Sequence, residues 1–142
     1  PFRLGHWRTL LSGADATVLA VGSMVGTALS VAQRLREDGV EMEVVNASTL
    51  RPLDTNTLQR LAVKAKPIFT LEEHVLDGGF GSAVLEYAAK QTAALDVCLL
   101  GVENRFIPQG DHRSLLHETG LDEESLLARI RARLGVTVVC HA

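Results

Sequence analysis

The sequence predicts an α/β fold in which a mostly parallel sheet is covered by helices on both faces. Short, β-rich apolar segments alternate with segments of helical periodicity, and the apolar segments are too hydrophobic for either side to face solvent. A chain of 142 residues can bury roughly two-thirds of its unfolded surface in one domain. We therefore expect one domain in residues 1–134, followed by a tail in residues 135–142 whose order the sequence leaves open.

Strands and helices are predicted to alternate from residue 17 to residue 102. The strands are expected at residues 17–21, 41–47, 67–71 and 96–102, and the helices at 25–38, 55–65 and 80–91. Ser23 and Asp54 stand where they would cap the first two helices, and Gly39 stands where the first helix would end. The residues predicted to face the sheet are Val25, Ala28, Leu29, Ala32 and Leu35, then Leu58, Leu61, Ala62 and Ala65, then Ala83, Val84, Tyr87 and Ala88.

Beyond the last of these strands, the pattern predicts a turn-rich link at residues 103–110 and two helices. Asp111 is placed to cap a short helix that reaches residue 118, and Asp122 is placed to begin the last one. Acidic residues in the first turn of that last helix and arginines in its last turn suit the helix dipole. Residues 5–11 are expected to add a strand at the sheet edge, covered by Trp7 and cut short by Gly13.

The composition excludes several classes of function. The net charge is −3 with both signs interspersed and only 4% of residues are aromatic, so no nucleic-acid partner is expected. The apolar runs are far shorter than the roughly 20 residues that cross a bilayer, so no membrane partner is expected either. Cys98 and Cys140 form no disulfide or zinc pattern, which together with the absence of a signal-like segment favours a cytoplasmic protein. The missing initiator Met suggests a piece of something longer.

One segment combines acidic, imidazole and glycine residues directly after a predicted strand. Open α/β sheets carry their functional loops at the carboxyl ends of strands, so this segment is expected to serve a function at the surface. Its glycines can adopt backbone angles that let the loop turn sharply and present its amides. The candidate residues are Glu72, Glu73, His74, Gly78, Gly79, Phe80 and Gly81.

Two interpretations of this segment differ in chemistry. Paired carboxylates beside an imidazole could act as general acid and base. Adjacent residues in an extended stretch point to opposite sides, however, so only one carboxylate and the imidazole could face a common point. This geometry favours a structural or interface role, and we predict no catalytic residue in this chain.

Other motifs point to no cofactor-binding or metal-binding residue. The turn at residues 22–26 lacks the middle glycine of the dinucleotide fingerprint, and Asn46 stands where a ribose-binding acid is expected. His112 and His117 are five residues apart and do not share a helical face well. An anion could bind near Arg105 and Gly110 at the start of the predicted short helix, although a capping Asp111 would occupy the same amides.

Four segments, taken together, carry a family resemblance: residues 11–25, 45–54, 72–84 and 120–122. On these segments the chain resembles the C-terminal domain of thiamine diphosphate-dependent enzymes of the transketolase superfamily, and the resemblance covers about residues 3–134. The glycine segment and residues 105–110 are most similar to 1-deoxy-D-xylulose-5-phosphate synthase. The opening residues and the Glu72-Glu73-His74 triplet are as similar to the C-terminal part of transketolase, and the beta subunits of 2-oxo acid dehydrogenases are a more distant third.

This resemblance implies a three-layer α/β/α sandwich with a five-stranded sheet whose first strand runs antiparallel to the others. It also implies that thiamine diphosphate and Mg²⁺ are held by other domains of the parent enzyme, which transfers two-carbon units. The chain itself would then be non-catalytic, would pack on upstream domains or a separate subunit, and would support a homodimer. In that setting the segment at residues 72–81 would border the active-site entrance.

Two other functions stay open at this point. Doubly wound sheets host many unrelated tasks, so a free-standing module that binds a nucleotide or another small ligand is the main alternative. The incomplete dinucleotide fingerprint counts against that alternative. A domain that serves assembly alone is the third hypothesis.

Overall fold

The computed structural model describes residues 3–92, 94–107 and 109–136, and these residues contain five strands and five helices. The strands are β1 (Arg8–Leu11), β2 (Ala16–Ala20), β3 (Met42–Asn46), β4 (Ile68–Val75) and β5 (Val97–Val102). The helices are α1 (Met24–Glu37), α2 (Thr55–Lys64), α3 (Phe80–Ala88), α4 (His112–Glu118) and α5 (Glu123–Leu134). No helix among the described residues is long and apolar enough to span a bilayer.

The five strands form one mixed sheet in the order β1-β3-β2-β4-β5. Strand β1 runs antiparallel to β3, whereas the pairs β2–β3, β2–β4 and β4–β5 are parallel. The predicted edge strand and its direction are therefore confirmed, although the strand occupies only Arg8–Leu11. A Cβ added to Gly13 would lie 2.4 Å from the backbone carbon of Met42, so the backbone just beyond the edge strand approaches β3 too closely for any residue but glycine.

Successive strand residues alternate between two hydrophobic cores, one on each face of the sheet. Val18 and Val44 belong to the core beneath α1 and α5, whereas their neighbours Leu19 and Val45 belong to the core beneath α2 and α3. This alternation follows from the two-residue period of a strand. Burial on both faces explains why the central strands are almost entirely apolar, and the three-layer α/β/α sandwich is confirmed.

Trp7 closes the second core where the chain enters the sheet. Its ring meets the ring of Phe80 edge to face, with centroids 5.6 Å apart. Its indole N–H donates to the Thr49 carbonyl at 2.8 Å, and its backbone N–H donates to Asp54 Oδ2 at 2.8 Å. All four residues of β1 are exposed, so the prediction that Trp7 covers the edge strand is wrong: its ring packs into the second core instead. Its contacts tie residues preceding β1 to the turn that follows β3.

Most predicted helix ends are confirmed, and Ser23 stands at the start of α1 as predicted, but its side chain does not cap the helix. Asp54, Asp111 and Asp122 each accept a hydrogen bond from the backbone N–H three residues further on. Ser23 makes no such bond, because its hydroxyl donates to a carboxylate outside the helix. Gly39 follows the end of α1 with a φ of +80°, as expected of a residue after a helix.

Three other boundaries differ from the sequence prediction. Strand β4 continues to Val75 instead of ending at residue 71, because Val75 pairs with Val102 of β5 beyond an irregularity in register. Helix α3 ends at Ala88, three residues early. Ala65 does not face the sheet: it is the exposed, left-handed residue that ends α2. The predicted tail lies outside the described residues except for Gly135 and Val136, where Gly135 ends α5 with a φ of +67°.

Candidate functional site

The candidate site lies at the carboxyl edge of the sheet, where the four parallel strands end. The residues that follow β2, β3, β4 and β5 meet there because parallel strands place all their carboxyl ends on one side. A cavity of about 360 Å³ opens at this edge. It is lined by Val21, Gly22, Ser23, Leu50, Glu72, Glu73, His74, Gly78, Gly79 and Phe80.

Glu72 is the buried member of the acidic pair. Its side chain turns inward from β4, and the residue is only 3% exposed. Oε2 accepts a hydrogen bond from the Phe80 N–H at 2.7 Å, and Oε1 accepts one from the Gly81 N–H at 2.8 Å. These two amides are among the free donors of the first turn of α3, where the helix dipole also favours a negative charge. Glu72 therefore joins the end of β4 to the start of α3.

At two positions around Glu72, neighbouring atoms leave no room for any side chain, so glycine is required. A Cβ on Gly79 would lie 2.5 Å from Glu72 Oε2 and 2.6 Å from the Val75 carbonyl oxygen. A Cβ on Gly81 would lie 2.7 Å from both Leu99 Cδ2 and Thr70 Oγ1. Gly78 differs, since its surroundings are open and its φ of +73° is the feature that favours glycine. The loop is thus shaped around the buried carboxylate.

Glu73, the next residue, points the other way and connects three elements. Ser23 Oγ, at the start of α1, donates to Glu73 Oε2 at 2.8 Å. His112 Nε2, at the start of α4, lies 2.6 Å from Glu73 Oε1. The expectation that the two carboxylates face opposite sides is confirmed. Sequence reasoning missed the contact with His112, which lies 39 residues away; the only available signal was that both residues follow carboxyl ends of parallel strands.

His74 lies on the exposed rim of the cavity. Its Nδ1 is 2.8 Å from the backbone oxygen of Val75. Together with Glu73 and Ser23 it supplies the polar side chains of the rim, while Leu50 supplies apolar surface. Phe80 also borders the cavity but is itself fully buried. The structure therefore brings all seven predicted residues of this segment into one region, with Glu72 committed to backbone amides.

Arg105 and Gly110, the predicted anion site, lie further along the same edge. The Arg105 guanidinium donates to the Glu118 backbone oxygen at 2.9 Å and lies 3.3 Å from Glu118 Oε1. Asp111 caps α4, and the hydrogen bonds from the Ser114 side chain and backbone lower the pKa of Asp111. An anion at this position would have to compete with both carboxylates, so the site stays a prediction.

The polar side chains at the carboxyl edge differ from the ligand set of a metal centre. Within residues 3–92, 94–107 and 109–136, no three His, Cys, Asp or Glu side chains converge as metal ligands would. Glu72 already accepts two amide hydrogen bonds, and Glu73 is engaged by a hydroxyl and an imidazole. The two carboxylates at the carboxyl edge are therefore already bound to groups of this chain.

Known proteins provide an independent comparison. The domain family described as "Transketolase, C-terminal domain" matches residues 5–126. The 1-deoxy-D-xylulose-5-phosphate synthase of Bacillus licheniformis is 39% identical over 129 residues, which are 90% of this chain and 20% of that protein. The synthase of Aquifex aeolicus is 38% identical over 131 residues, which are 92% of this chain and 21% of that protein.

A solved structure gives the same picture at the level of the fold. The structure described as "Split gene transketolase, inactive beta4 tetramer" superposes with a TM-score of 0.85 at 31% identity, covering 96% of this chain and 45% of that one. The chain spans about one-fifth of the length of the synthases that it matches. By its matched residues and its sheet topology, the chain belongs to the transketolase C-terminal domain family.

Proposed function

We propose that this chain is the non-catalytic C-terminal domain of a thiamine diphosphate-dependent enzyme that transfers two-carbon units. A 1-deoxy-D-xylulose-5-phosphate synthase or a transketolase is the proposed parent. The observation that carries this proposal is the coverage: nine-tenths of the chain aligns with about one-fifth of each synthase. The larger part of such an enzyme would therefore be supplied by upstream domains or by another subunit.

At the carboxyl edge, the residues that the structure describes do not fit a site for thiamine diphosphate and Mg²⁺. Magnesium is held by carboxylates and by phosphate oxygens, but the carboxylates of the cavity are engaged by amides, a hydroxyl and an imidazole. The start of α3, which could face a diphosphate, is occupied by Glu72. This arrangement supports a cofactor site in other domains of the parent.

The path of the chain supports a position for this domain in the parent enzyme. Residues that precede β1 run along the turn after β3, where Trp7 bonds to Asp54 and Thr49. That turn lies at the carboxyl edge, so domains joined before β1 would attach on the same side as the segment at residues 72–81. The proposed role of this segment is to border the active-site entrance, with the domain packing on its neighbours in a cytoplasmic homodimer.

The split gene transketolase offers a second line of support. That protein is described as an inactive beta4 tetramer, and the present chain covers 45% of one of its chains. A polypeptide that carries this kind of domain can therefore be folded and assembled without activity. The same behaviour is proposed for the present chain when it stands alone.

A domain exchange tests the proposal. The C-terminal fifth of the Bacillus licheniformis synthase is replaced by this chain, and formation of 1-deoxy-D-xylulose 5-phosphate is measured. We expect a kcat within about tenfold of that of the parent, and no activity from the synthase truncated at the same point. A matched chimera with the corresponding Aquifex aeolicus segment controls for the junction. A folded chimera as inactive as the truncated enzyme, beside an active control chimera, would contradict the proposal.

A binding measurement on the chain alone is complementary. Thiamine diphosphate with Mg²⁺ is titrated into the purified chain by calorimetry, and we expect no saturable heat. Saturable binding in the micromolar range, about −8 kcal/mol, would show that this chain holds the cofactor and would refute the non-catalytic role.

A further inference from the structure

Helix α4 rests on the surface of the domain and buries little of itself. None of its seven residues is buried, whereas each of the other helices that the structure describes buries apolar residues. Its contact with a hydrophobic core is made by Leu116, which is only partly buried. A segment with so little buried apolar surface can open at a lower free energy than the fold as a whole.

A cavity of about 450 Å³ lies on one side of α4. Arg113 and Leu116 of α4 form one of its walls, Thr27 of α1 forms another, and the first turn of α5 borders the rest together with Leu121. Because α4 supplies a wall, movement of α4 would widen or close this cavity.

A single side-chain pair joins the start of α4 to the sheet. His112, the first residue of α4, lies with its Nε2 2.6 Å from Oε1 of Glu73, near the end of β4. An ionised carboxylate only accepts hydrogen bonds, so Nε2 of His112 is the donor. The His112 side chain is 66% exposed and that of Glu73 is 33% exposed. A pair this accessible to water forms and breaks readily.

The two ends of α4 are built for a change of backbone direction. Gly110 precedes the capping Asp111, and Gly120 follows the helix with a φ of +68°, in the left-handed region that favours glycine. Small residues at the end of an element are common hinge positions. Leu121, the next residue, is fully buried, so the fixed part of the chain resumes there. Two further pairs, Arg105 with Glu118 and His117 with Asp122, are also largely exposed on at least one side.

We propose that residues 111–119 form a lid that opens while the sheet and the other four helices stay folded, and that the bond between His112 and Glu73 is the latch that keeps it closed. Opening widens the cavity beside Leu116 and releases Glu73 Oε1 at the rim of the carboxyl-edge cavity. This inference goes beyond the proposed function and does not depend on it, because lid and latch both belong to this chain.

Native-state hydrogen exchange of the 142-residue chain tests the lid. The reporting amides are those of Leu115 and Thr119, which donate to the carbonyls of Asp111 and Leu115. We expect these two amides to share one protection factor, at least about 100-fold below that of the Leu126 amide in α5. Shared protection is expected because a lid opens as one unit.

Three alanine variants test the latch. Glu73→Ala and His112→Ala should each lower the protection of the lid amides about threefold, since each removes the pair, and should leave Leu126 unchanged. The double variant should lose no more than either single variant, because both substitutions remove the same bond. Arg113→Ala is the matched control: it lies in the same turn, is exposed, and forms no hydrogen bond or ion pair within the described residues, so protection should stay the same.

Several results would overturn the proposal. Equal protection of Leu115, Thr119 and Leu126 would mean that α4 opens only when the whole fold unfolds. Clearly different factors for Leu115 and Thr119 would indicate fraying from one end in place of a lid. A loss of equal size at Leu126 would assign the effect of Glu73→Ala to the whole domain. Losses that multiply in the double variant, or an equal loss in Arg113→Ala, would show that the pair is not the latch.

Discussion

Glu72 holds Gly81 by a hydrogen bond of 2.8 Å between its buried Oε1 and the Gly81 backbone N–H. The contact spans nine residues and links the end of β4 to the first turn of α3. The other carboxylate oxygen of Glu72, Oε2, accepts a hydrogen bond from the backbone N–H of Phe80. One carboxylate therefore connects the strand before the loop to the helix after it, and this connection restricts the conformation of the loop between them.

Replacing Glu72 by Gln should destabilise the fold by about 2–3 kcal/mol. Gln has one acceptor oxygen where Glu has two, so one amide of α3 would be left facing an NH₂ group inside the protein. The loss of negative charge at a helix start adds to this cost. Urea denaturation of both proteins measures the difference, and Glu73→Gln is the matched control because that side chain is partly exposed. Equal stability of Glu72→Gln and the wild type would show that the two bonds are not needed.

Alanine substitutions at two helical glycines should have opposite effects. Gly81→Ala places a methyl group 2.7 Å from Leu99 Cδ2 and Thr70 Oγ1, and we expect a loss of about 1–3 kcal/mol from overpacking. Gly26 lies in α1 with nothing near its missing Cβ, so Gly26→Ala should gain about 0.5–1 kcal/mol from helix propensity. Thermal unfolding checks both. A stabilising Gly81→Ala would mean that Leu99 moves aside freely.

The fold could be predicted from the sequence because its signals are local. Apolar runs such as that at residues 16–20 are buried on both sides, and the helices carry periodic apolar stripes and aspartate caps. The antiparallel direction of β1 is not a local property, and it was expected only from the family resemblance. Strand β4 was predicted too short because Glu72 and Glu73 look like loop residues, although they continue the strand past a register irregularity.

The site was predicted in part, for a related reason. Its segment could be found from its glycines and charges, but its contacts depend on which chain ends the topology brings together. The pairing of Glu73 with Ser23 and His112 joins residues 50 and 39 positions away in sequence. Ser23 looked like a helix cap, and its hydroxyl could equally bond a local amide or a distant carboxylate; only the position of Glu73 decides between them.

The two predicted caps Asp54 and Ser23 should now differ in stability tests. Asp54 accepts from Thr57 N–H at 3.0 Å and from Trp7 N–H at 2.8 Å, so Asp54→Ala should cost about 2–3 kcal/mol, more than a cap alone. Ser23→Ala should cost less than about 0.5 kcal/mol, since the hydroxyl makes no cap bond and its bond to Glu73 is exposed. Denaturation midpoints compare the two. Equal losses would contradict this difference.

Glu43 makes the acid stability of the fold testable. It is a nearly buried carboxylate on β3, held by Arg60 at 2.7 Å and Lys64 at 2.9 Å. Burial acts to raise the pKa of Glu43, but the hydrogen bonds from Arg60 and Lys64 outweigh it and keep the pKa below its ordinary value of 4.5. A carboxyl with a depressed folded pKa stabilises the fold fully above its unfolded pKa, and that contribution is lost as pH falls through the folded pKa.

Glu43→Gln should therefore lose about 2–3 kcal/mol at pH 7, and its deficit should shrink steadily once pH falls below about 4.5. The free energy of unfolding in urea, measured from pH 7 to pH 3, gives both curves.

Some acid dependence should persist in the variant because of Asp54. Burial acts to raise the pKa of Asp54, but the hydrogen bonds from the backbone N–H groups of Trp7 and Thr57 outweigh burial and bring the pKa below its ordinary value. Glu41→Gln is the control: its pair with Arg36 is exposed, and its curve should parallel that of the wild type within about 0.5 kcal/mol. A constant deficit for Glu43→Gln at every pH would mean that the charge of Glu43 is not what the two cations stabilise.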